Sequence, residues 1–135
     1  MSKSHHGKNM FIDMLVKIKN AQAVKAETLK VPFSNMDMTV AEMLAKYGYL
    51  EGVTKKGRMP KRVIEIKLKY DNGKGVINGV KVISRPSRRL YAKSVGLKSV
   101  KQGYGVGFVS TSKGIMSNQE ARKQNLGGQL LFEVW

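Results

Sequence analysis

The sequence predicts an α+β protein built from two small α/β modules. Two segments of the first half space their apolar residues as helices do, and residues 62–70 alternate apolar with charged side chains. The second half reads mostly as short strands with short helices. We expect an N-terminal α/β module over residues 1–70, with residues 1–8 as a flexible tail, a linker over 71–75, and a β-rich C-terminal module over 76–135.

The first predicted helix covers residues 10–21. Phe11, Leu15 and Ile18 recur there at helical spacing, which places them on one stripe of the helix surface. Asn9 precedes this segment, and a short polar side chain at that position can accept a hydrogen bond from the first turn. The sequence therefore predicts Asn9 as the N-cap.

A strand over residues 27–31 precedes the second predicted helix. Ser34 offers an N-cap for that helix, the apolar spacing continues over residues 38–48, and Gly48 suits the turn after its C-terminus. Two strands complete a module of order α-β-α-β-β: residues 49–53 and 62–70, joined by the charged turn 55–61.

The C-terminal module is predicted to be mostly β. Ser117 and Glu120 have the spacing of a capping box, which opens a short helix over residues 118–125. The remaining elements are, in order, a strand over 76–84, a stiff basic connection over 85–91 leading into a short strand, one helical turn over 97–102, a strand over 104–110 and a final strand over 127–135.

Composition excludes several classes of protein. The chain has no cysteine, so disulfides, thiolate metal sites and cysteine nucleophiles are ruled out. No apolar run approaches the roughly 20 residues that span a bilayer, and the polar start lacks the apolar segment of a signal peptide. We expect a cytoplasmic protein without membrane, cofactor, metal or small-molecule substrate.

Charge is the strongest signal in the sequence. Lys and Arg number 25 against nine Asp and Glu, a formal net charge of +16. Between residues 72 and 119 there are nine basic residues and no acidic one. Such a surface attracts polyanions, and we favour nucleic acid over an anionic membrane or an acidic protein.

Motifs for catalysis are weak. Ser110 to Lys113 formally matches S-x-x-K, but the companion motifs of penicillin-recognising enzymes are absent from the sequence. The glycine-rich segment 103–108 lacks the G-K-[ST] of a phosphate-binding loop. His5 and His6 are the only histidines and belong to the predicted tail. We therefore expect that the protein is not an enzyme.

The run Ser110, Thr111, Ser112 has three interpretations. Its hydroxyls could bond the local backbone of a turn, cap the coming helix, or bind a polyanion. Ser117 already offers the cap, and the surroundings are free of acids. We favour anion binding, with Lys113 adding positive potential, and we place the run between a strand and a helix.

Aromatic and arginine residues extend this hypothesis. Tyr91 and Tyr104 could stack on unpaired bases, although either could instead pack in the core. Pro86 stiffens a connection, which lowers the entropy lost when guanidinium groups meet phosphates. Its basic neighbours are Arg85, Arg88 and Arg89.

Three segments carry a resemblance to a known family: residues 84–91, 103–117 and 120–135, with looser agreement in 12–21. They resemble the bacterial type of small-subunit ribosomal protein eight, the S-eight family. The resemblance implies two small α/β modules and a structural constituent of the small ribosomal subunit. It implies primary binding to the central domain of 16S ribosomal RNA and a part in assembling the platform.

The resemblance also implies which residues contact RNA. The hydroxyl run, Gly127 and Gly128 would press into the minor groove of an irregular helix, and Gln129 stands where the family usually has Glu. The full set of expected RNA-binding residues is Ser110, Thr111, Ser112, Lys113, Gly127, Gly128, Gln129, Arg85, Arg88, Arg89, Tyr91, Lys17, Lys19, Asn20 and Lys30.

Partners follow from the same resemblance. They are ribosomal RNA and the neighbouring ribosomal proteins S-five and S-twelve, which implies a ribosome-bound location. The chain's own mRNA is a further expected partner. A free RNA-binding translational regulator that acts on mRNA is the alternative, because one surface could serve both RNAs.

Overall fold

The computed structural model of the protein describes residues 11–84, 90–93 and 105–135. The chain divides into two compact units, Met10–Ile77 and Asn78–Trp135. Three helices and several antiparallel sheets within the described residues confirm the α+β class. The predicted tail 1–8, the cap Asn9, Tyr104 and the helical turn 97–102 lie outside the described residues.

Unit Met10–Ile77 has two helices against a three-stranded antiparallel sheet, with strand order β1-β3-β2. A two-stranded hairpin, β4 and β5, follows the sheet. The elements are α1 Ile12–Ala23, β1 Thr28–Pro32, α2 Asn35–Lys46, β2 Leu50–Lys56, β3 Val63–Leu68, β4 Tyr70–Asp71 and β5 Lys74–Gly75.

Helix α1 forms where the apolar stripe predicts it. Leu15 and Ile18 are buried on one side of the helix, and Phe11 is buried at its start. The helix begins at Ile12, so Phe11 occupies the N-cap position and makes no side-chain cap. The prediction of Asn9 as the cap was wrong, because the first turn starts two residues later than the polar residue indicated.

Helix α2 is capped as predicted. The Ser34 hydroxyl oxygen accepts a hydrogen bond from the Asp37 backbone N–H at 3.0 Å, and the helix starts directly after it at Asn35. Gly48 has φ +86°, the left-handed conformation that glycine adopts without steric cost. The Ser34 side chain and the Gly48 backbone conformation therefore define the two ends of this helix.

Strand β3 forms the centre of the sheet. Ile64 and Ile66 are fully buried on one face. On the other face Glu65 pairs in register with Lys30 of β1 and forms an ion pair with Lys56 at 2.5 Å. The Lys56 hydrogen bond and the positive charges of Lys56 and Lys30 lower the pKa of the Glu65 carboxyl.

The segment predicted as a linker, residues 71–75, forms most of the β4-β5 hairpin. Asn72 and Gly73 occupy its turn with positive φ values of 54° and 78°. Just beyond, Gln22 of α1 holds the end of the unit: its Nε2 donates to the Ile77 carbonyl at 2.7 Å and its Oε1 accepts from the Ile77 N–H at 3.2 Å. The position of a linker between modules stays a prediction.

In unit Asn78–Trp135 the described residues form one five-stranded antiparallel sheet and one short helix. Strand β10 pairs with β8 along one edge and with both β6 and β7 along the other, and β9 pairs with β8. The elements are β6 Val80–Val82, β7 Tyr91–Ala92, β8 Val106–Thr111, β9 Gly114–Ser117, α3 Asn118–Lys123 and β10 Gly128–Val134.

Two apolar groups hold this sheet. Val109 and Met116 of the sheet and Ala121 of α3 are buried together, with Leu126 and Leu130 packed against them. On the opposite face the rings of Phe108 and Phe132 lie 5.0 Å apart between centroids. Both faces of β8 therefore carry buried side chains.

Candidate nucleic-acid interface

Four strands place one residue each in a single row across the C-terminal sheet. Gln129 of β10 pairs with Tyr91 of β7 on one side and with Ser110 of β8 on the other, and Ser110 pairs with Ile115 of β9. Directly paired residues of neighbouring strands project from the same face. Three of the residues expected to contact RNA, which are separated in sequence, are therefore neighbours on one face.

Gln129 occupies the middle of this row. Its side-chain nitrogen is buried, and among the described residues it has no hydrogen-bond partner. A buried amide donor left unpaired costs on the order of 1–3 kcal/mol. Tyr91 beside it is 67% exposed, so an aromatic face is open to a ligand. The row therefore combines an exposed aromatic ring with a buried amide donor.

Gly127 and Gly128 allow three strands to approach closely. A Cβ on Gly127 would lie 2.5 Å from the carbonyl oxygen of Ala92. A Cβ on Gly128 would clash with the carbonyl oxygen of Ser110. Both clashes are with backbone, which cannot move away without breaking the sheet. The absence of side chains on the glycine pair thus lets the hydroxyl run and β7 approach β10 closely.

The hydroxyl run forms the end of the β8-β9 hairpin, with Ser112 and Lys113 as its exposed two-residue tip. The prediction that it lies between a strand and a helix was wrong, because residues 114–117 form strand β9 first. Gly114, with φ +110°, follows the tip. The tip therefore projects from two paired strands.

The Thr111 hydroxyl bonds the local backbone of the turn, which is the first of the three interpretations of the hydroxyl run. Its hydroxyl accepts from the Lys113 N–H at 3.1 Å and donates to the Gly114 carbonyl at 2.8 Å. Both bonds close the tip on itself. Ser110 is half-buried and Ser112 is exposed. The three hydroxyls therefore differ in role: Thr111 fixes the turn, and its two neighbours lie beside the open surface.

The capping interpretation of the run does not hold. The Ser117 hydroxyl oxygen accepts from the Glu120 N–H at 3.1 Å and caps α3, as predicted. The carboxylate Oε2 of Glu120 accepts from the Gln124 amide at 2.6 Å. Helix α3 therefore needs nothing from residues 110–112.

The arginines predicted to contact phosphates, Arg85, Arg88 and Arg89, lie outside the described residues. The two residues that flank this segment are fixed to each other. The fully buried Ser84 accepts from the Leu90 N–H at 2.9 Å and donates to the Leu90 carbonyl at 3.3 Å. Sequence reasoning missed Ser84, and its position beside a basic segment gave no signal of this double bond.

The N-terminal candidates do not form one site. On α1, Lys17 and Asn20 are exposed and Lys19 is half-buried. Lys30 lies on β1, on the face opposite the buried Val31. Lys30 is paired in register with Glu65, so the negative carboxylate of Glu65 cancels part of the positive potential of Lys30.

Metal clusters and membrane-spanning helices are both absent from the part of the chain that the structure describes. Within residues 11–84, 90–93 and 105–135, no cluster of His, Asp and Glu could hold a metal ion. In the same ranges, no helix is long and apolar enough to cross a bilayer.

Known proteins resemble this chain over most of its length. The model of the family described as Ribosomal protein S8 matches residues 9–135. A relative from Clostridioides difficile strain 630, named small ribosomal subunit protein uS8, is 43% identical over 126 residues, which cover 91% of this chain and 94% of the relative. A relative of the same name from Mycoplasmopsis agalactiae is 41% identical over 123 residues, covering 91% and 94%.

Proposed function

The chain belongs to the ribosomal protein S8 family, and from this premise we propose that it is a structural, non-enzymatic constituent of the small ribosomal subunit. Its role is to bind the central domain of 16S ribosomal RNA and to help assemble the platform. The relatives named small ribosomal subunit protein uS8 support the ribosomal part of this proposal.

The observation that carries the RNA-binding part is the row through Tyr91, Gln129 and Ser110. It combines an exposed ring, a buried unpaired amide donor and a hydroxyl on one face of a sheet. RNA presents base edges and 2′-hydroxyl acceptors in a wide minor groove, which suits short donors. The open tip with Ser112 and Lys113 continues this surface.

The proposed RNA contacts are of two chemical kinds. Hydroxyl and amide groups at base edges and sugars supply specificity, whereas Lys113 and the arginines Arg85, Arg88 and Arg89 supply affinity through phosphates. The unit Asn78–Trp135 has ten Lys and Arg against two acids. Its positive charge therefore attracts RNA of any sequence. Lys17, Lys19, Asn20 and Lys30 are proposed to contact a second RNA segment.

The remaining partners rest on family resemblance. S-five and S-twelve are proposed as protein neighbours in the subunit, and the chain's own mRNA as a second RNA ligand. Both RNAs would use the row that contains Gln129, so regulation requires no separate site.

Selective binding tests the proposal. The full chain should bind a 16S central-domain transcript more tightly than a non-cognate duplex of equal length, and it should co-sediment with small subunits at high salt. Ser112→Ala should reduce affinity for the central domain and leave duplex binding nearly unchanged, because a lost donor to a buried RNA acceptor costs about 1–3 kcal/mol. Equal affinity of the wild type for both RNAs would reject the function.

A further inference from the structure

The excess charge of unit Met10–Ile77 is concentrated at one place, the tip of the β2-β3 hairpin. The unit has 13 Lys and Arg and seven Asp and Glu. Five of those cations, and none of the acids, fall within residues 55–62, which we call the basic tip. Outside the basic tip the unit has eight cations against seven acids, so it is nearly neutral.

Three of the five cations are held in place. The Lys55 ammonium lies 5.8 Å and the Arg62 guanidinium 5.4 Å from the centroid of the Phe33 ring. Lys56 is paired with Glu65 of β3. These contacts fix long side chains that would otherwise move freely, and a cation on an aromatic ring keeps its full charge.

The backbone of the basic tip is also fixed. Arg62 donates through Nε to the Gly57 carbonyl at 3.2 Å, and the Lys61 N–H donates to the Arg58 carbonyl at 2.8 Å, which closes a tight turn. The Phe33 N–H donates to the Arg62 carbonyl at 3.2 Å and ties the tip to the residue after β1.

The two remaining cations of the basic tip have exposed side chains. Arg58 and Lys61 are exposed at the two ends of the tight turn. Between them Met59 is 61% exposed, an apolar side chain flanked by positive charges. Cations that flank an apolar group match the RNA backbone, where phosphates alternate with the apolar faces of sugars.

We propose that the basic tip is a further RNA-binding site, in which Arg58 and Lys61 contact phosphates and Met59 packs against a sugar or base. The anchored Lys55 and Arg62 raise the local positive potential, whereas the charge of Lys56 is balanced by Glu65. An RNA duplex or junction is favoured over an acidic protein, since the tip gains from every phosphate without needing a particular sequence. This inference rests on the proposed function and adds a contact in unit Met10–Ile77 besides those proposed for Lys17, Lys19, Asn20 and Lys30.

The consequence is two-point attachment. The row through Gln129 selects the RNA, and the basic tip in a separate unit contacts whichever segment lies beside it. Linking two weak contacts raises the overall affinity without any change in the selective contact.

Salt dependence of binding tests the site on the full chain. The double variant Arg58→Gln/Lys61→Gln should flatten the plot of log affinity against log salt for full-length 16S ribosomal RNA by about two units, one per lost phosphate contact. The matched control is Lys25→Asn/Lys74→Gln, which removes two exposed cations of the same unit outside the tip. Asn at position 25 tolerates the local φ of 59°. The control should keep the wild-type slope.

Met59→Ser gives an independent readout. It should lower affinity for the same RNA by about five-fold at every salt concentration, because an apolar contact releases no counterions. Equal slopes for the two double variants would overturn the site, and an acidic protein would then be the better partner. The two double variants are compared on 16S RNA, and this comparison does not require the wild type to prefer that RNA over a duplex. Failure of the basic tip can therefore be distinguished from failure of the proposed function.

Discussion

Gly128 lies directly against Ser110, and the space that a side chain would need on Gly128 is filled by the Ser110 carbonyl oxygen. The contact joins β10 to β8 at the point where the sheet meets the hydroxyl run. Because both groups are backbone, the close approach is a condition of the fold and of the proposed RNA surface together.

Gly128→Ala should therefore destabilise the protein by about 3 kcal/mol, since the added methyl group forces the strands apart. Chemical unfolding measures the loss. Gly52→Ala is the control, because Gly52 is also on a strand and a Cβ there would meet nothing within 4 Å. The control should stay within about 1 kcal/mol of wild type. Equal effects at the two positions would contradict the close approach.

Ser117→Ala and Ser34→Ala should each lower the free energy of unfolding by about 1 kcal/mol. Each hydroxyl accepts a backbone N–H in the first turn of a helix, and alanine leaves that donor unpaired. Urea titrations of the two variants give the values. Ser112→Ala removes an exposed hydroxyl and should leave stability unchanged. A loss at Ser112 as large as at Ser117 would be inconsistent with the cap assignment.

Thr111→Val should open the tip of the β8-β9 hairpin, because it removes the hydroxyl that bonds both Lys113 and Gly114. We expect faster amide exchange at Lys113 and a stability loss of about 1–2 kcal/mol. Thr111→Ser keeps the hydroxyl and should restore slow exchange. If the serine variant exchanged as fast as the valine variant, the two hydroxyl bonds would not be enough to hold the turn.

Glu65→Gln should change the acid dependence of stability. The pKa of Glu65 is lowered in the folded protein, so its ionised form stabilises the fold above the unfolded pKa of about 4.3, and this contribution disappears as pH falls through the folded pKa. The difference between wild type and variant should be largest near neutral pH and vanish in acid.

High salt should reduce the same difference, since the Lys56–Glu65 pair is near the surface and is screened. Thermal unfolding over a pH series with and without added salt is the measurement. A difference that persisted in acid would show that packing of the Gln side chain, rather than ionisation, is responsible.

Gln22→Met should release the end of the N-terminal unit. The amide group pairs with both backbone groups of Ile77, and a thioether of similar shape pairs with neither. Amide exchange at Ile77 should accelerate, with a stability loss of about 1–3 kcal/mol. Asn20→Ala, an exposed change on the same helix, should leave exchange at Ile77 as it is. Protected exchange in the Met variant would contradict the role of Gln22.

Local patterns of sequence predicted the helices well. The stripe of Phe11, Leu15 and Ile18 is buried, and the hydroxyls of Ser34 and Ser117 cap the helices that follow them. Each of these signals depends on neighbours within about one helical turn, which a single sequence contains in full.

Strand pairing was harder to predict because partners are distant in sequence. Strand β9 has four residues, too few for alternation to show, and it exists because β8 supplies its hydrogen bonds. Asn72 and Gly73 are a typical hairpin pair, yet flanking strands of two residues each made them resemble a linker. The row through Gln129 depends on the register of three strands, so the sequence named its members without predicting that they are neighbours.

Two hydrogen bonds join Ser84 to Leu90, the residues on either side of the arginine segment. The ends are joined by one hydroxyl and two backbone groups, none of which depends on the side chains in between. Since closing a loop costs free energy that grows only slowly with its length, insertions between these ends should be well tolerated. The residues between Ser84 and Leu90 can therefore be exchanged without removing the two bonds that join these ends.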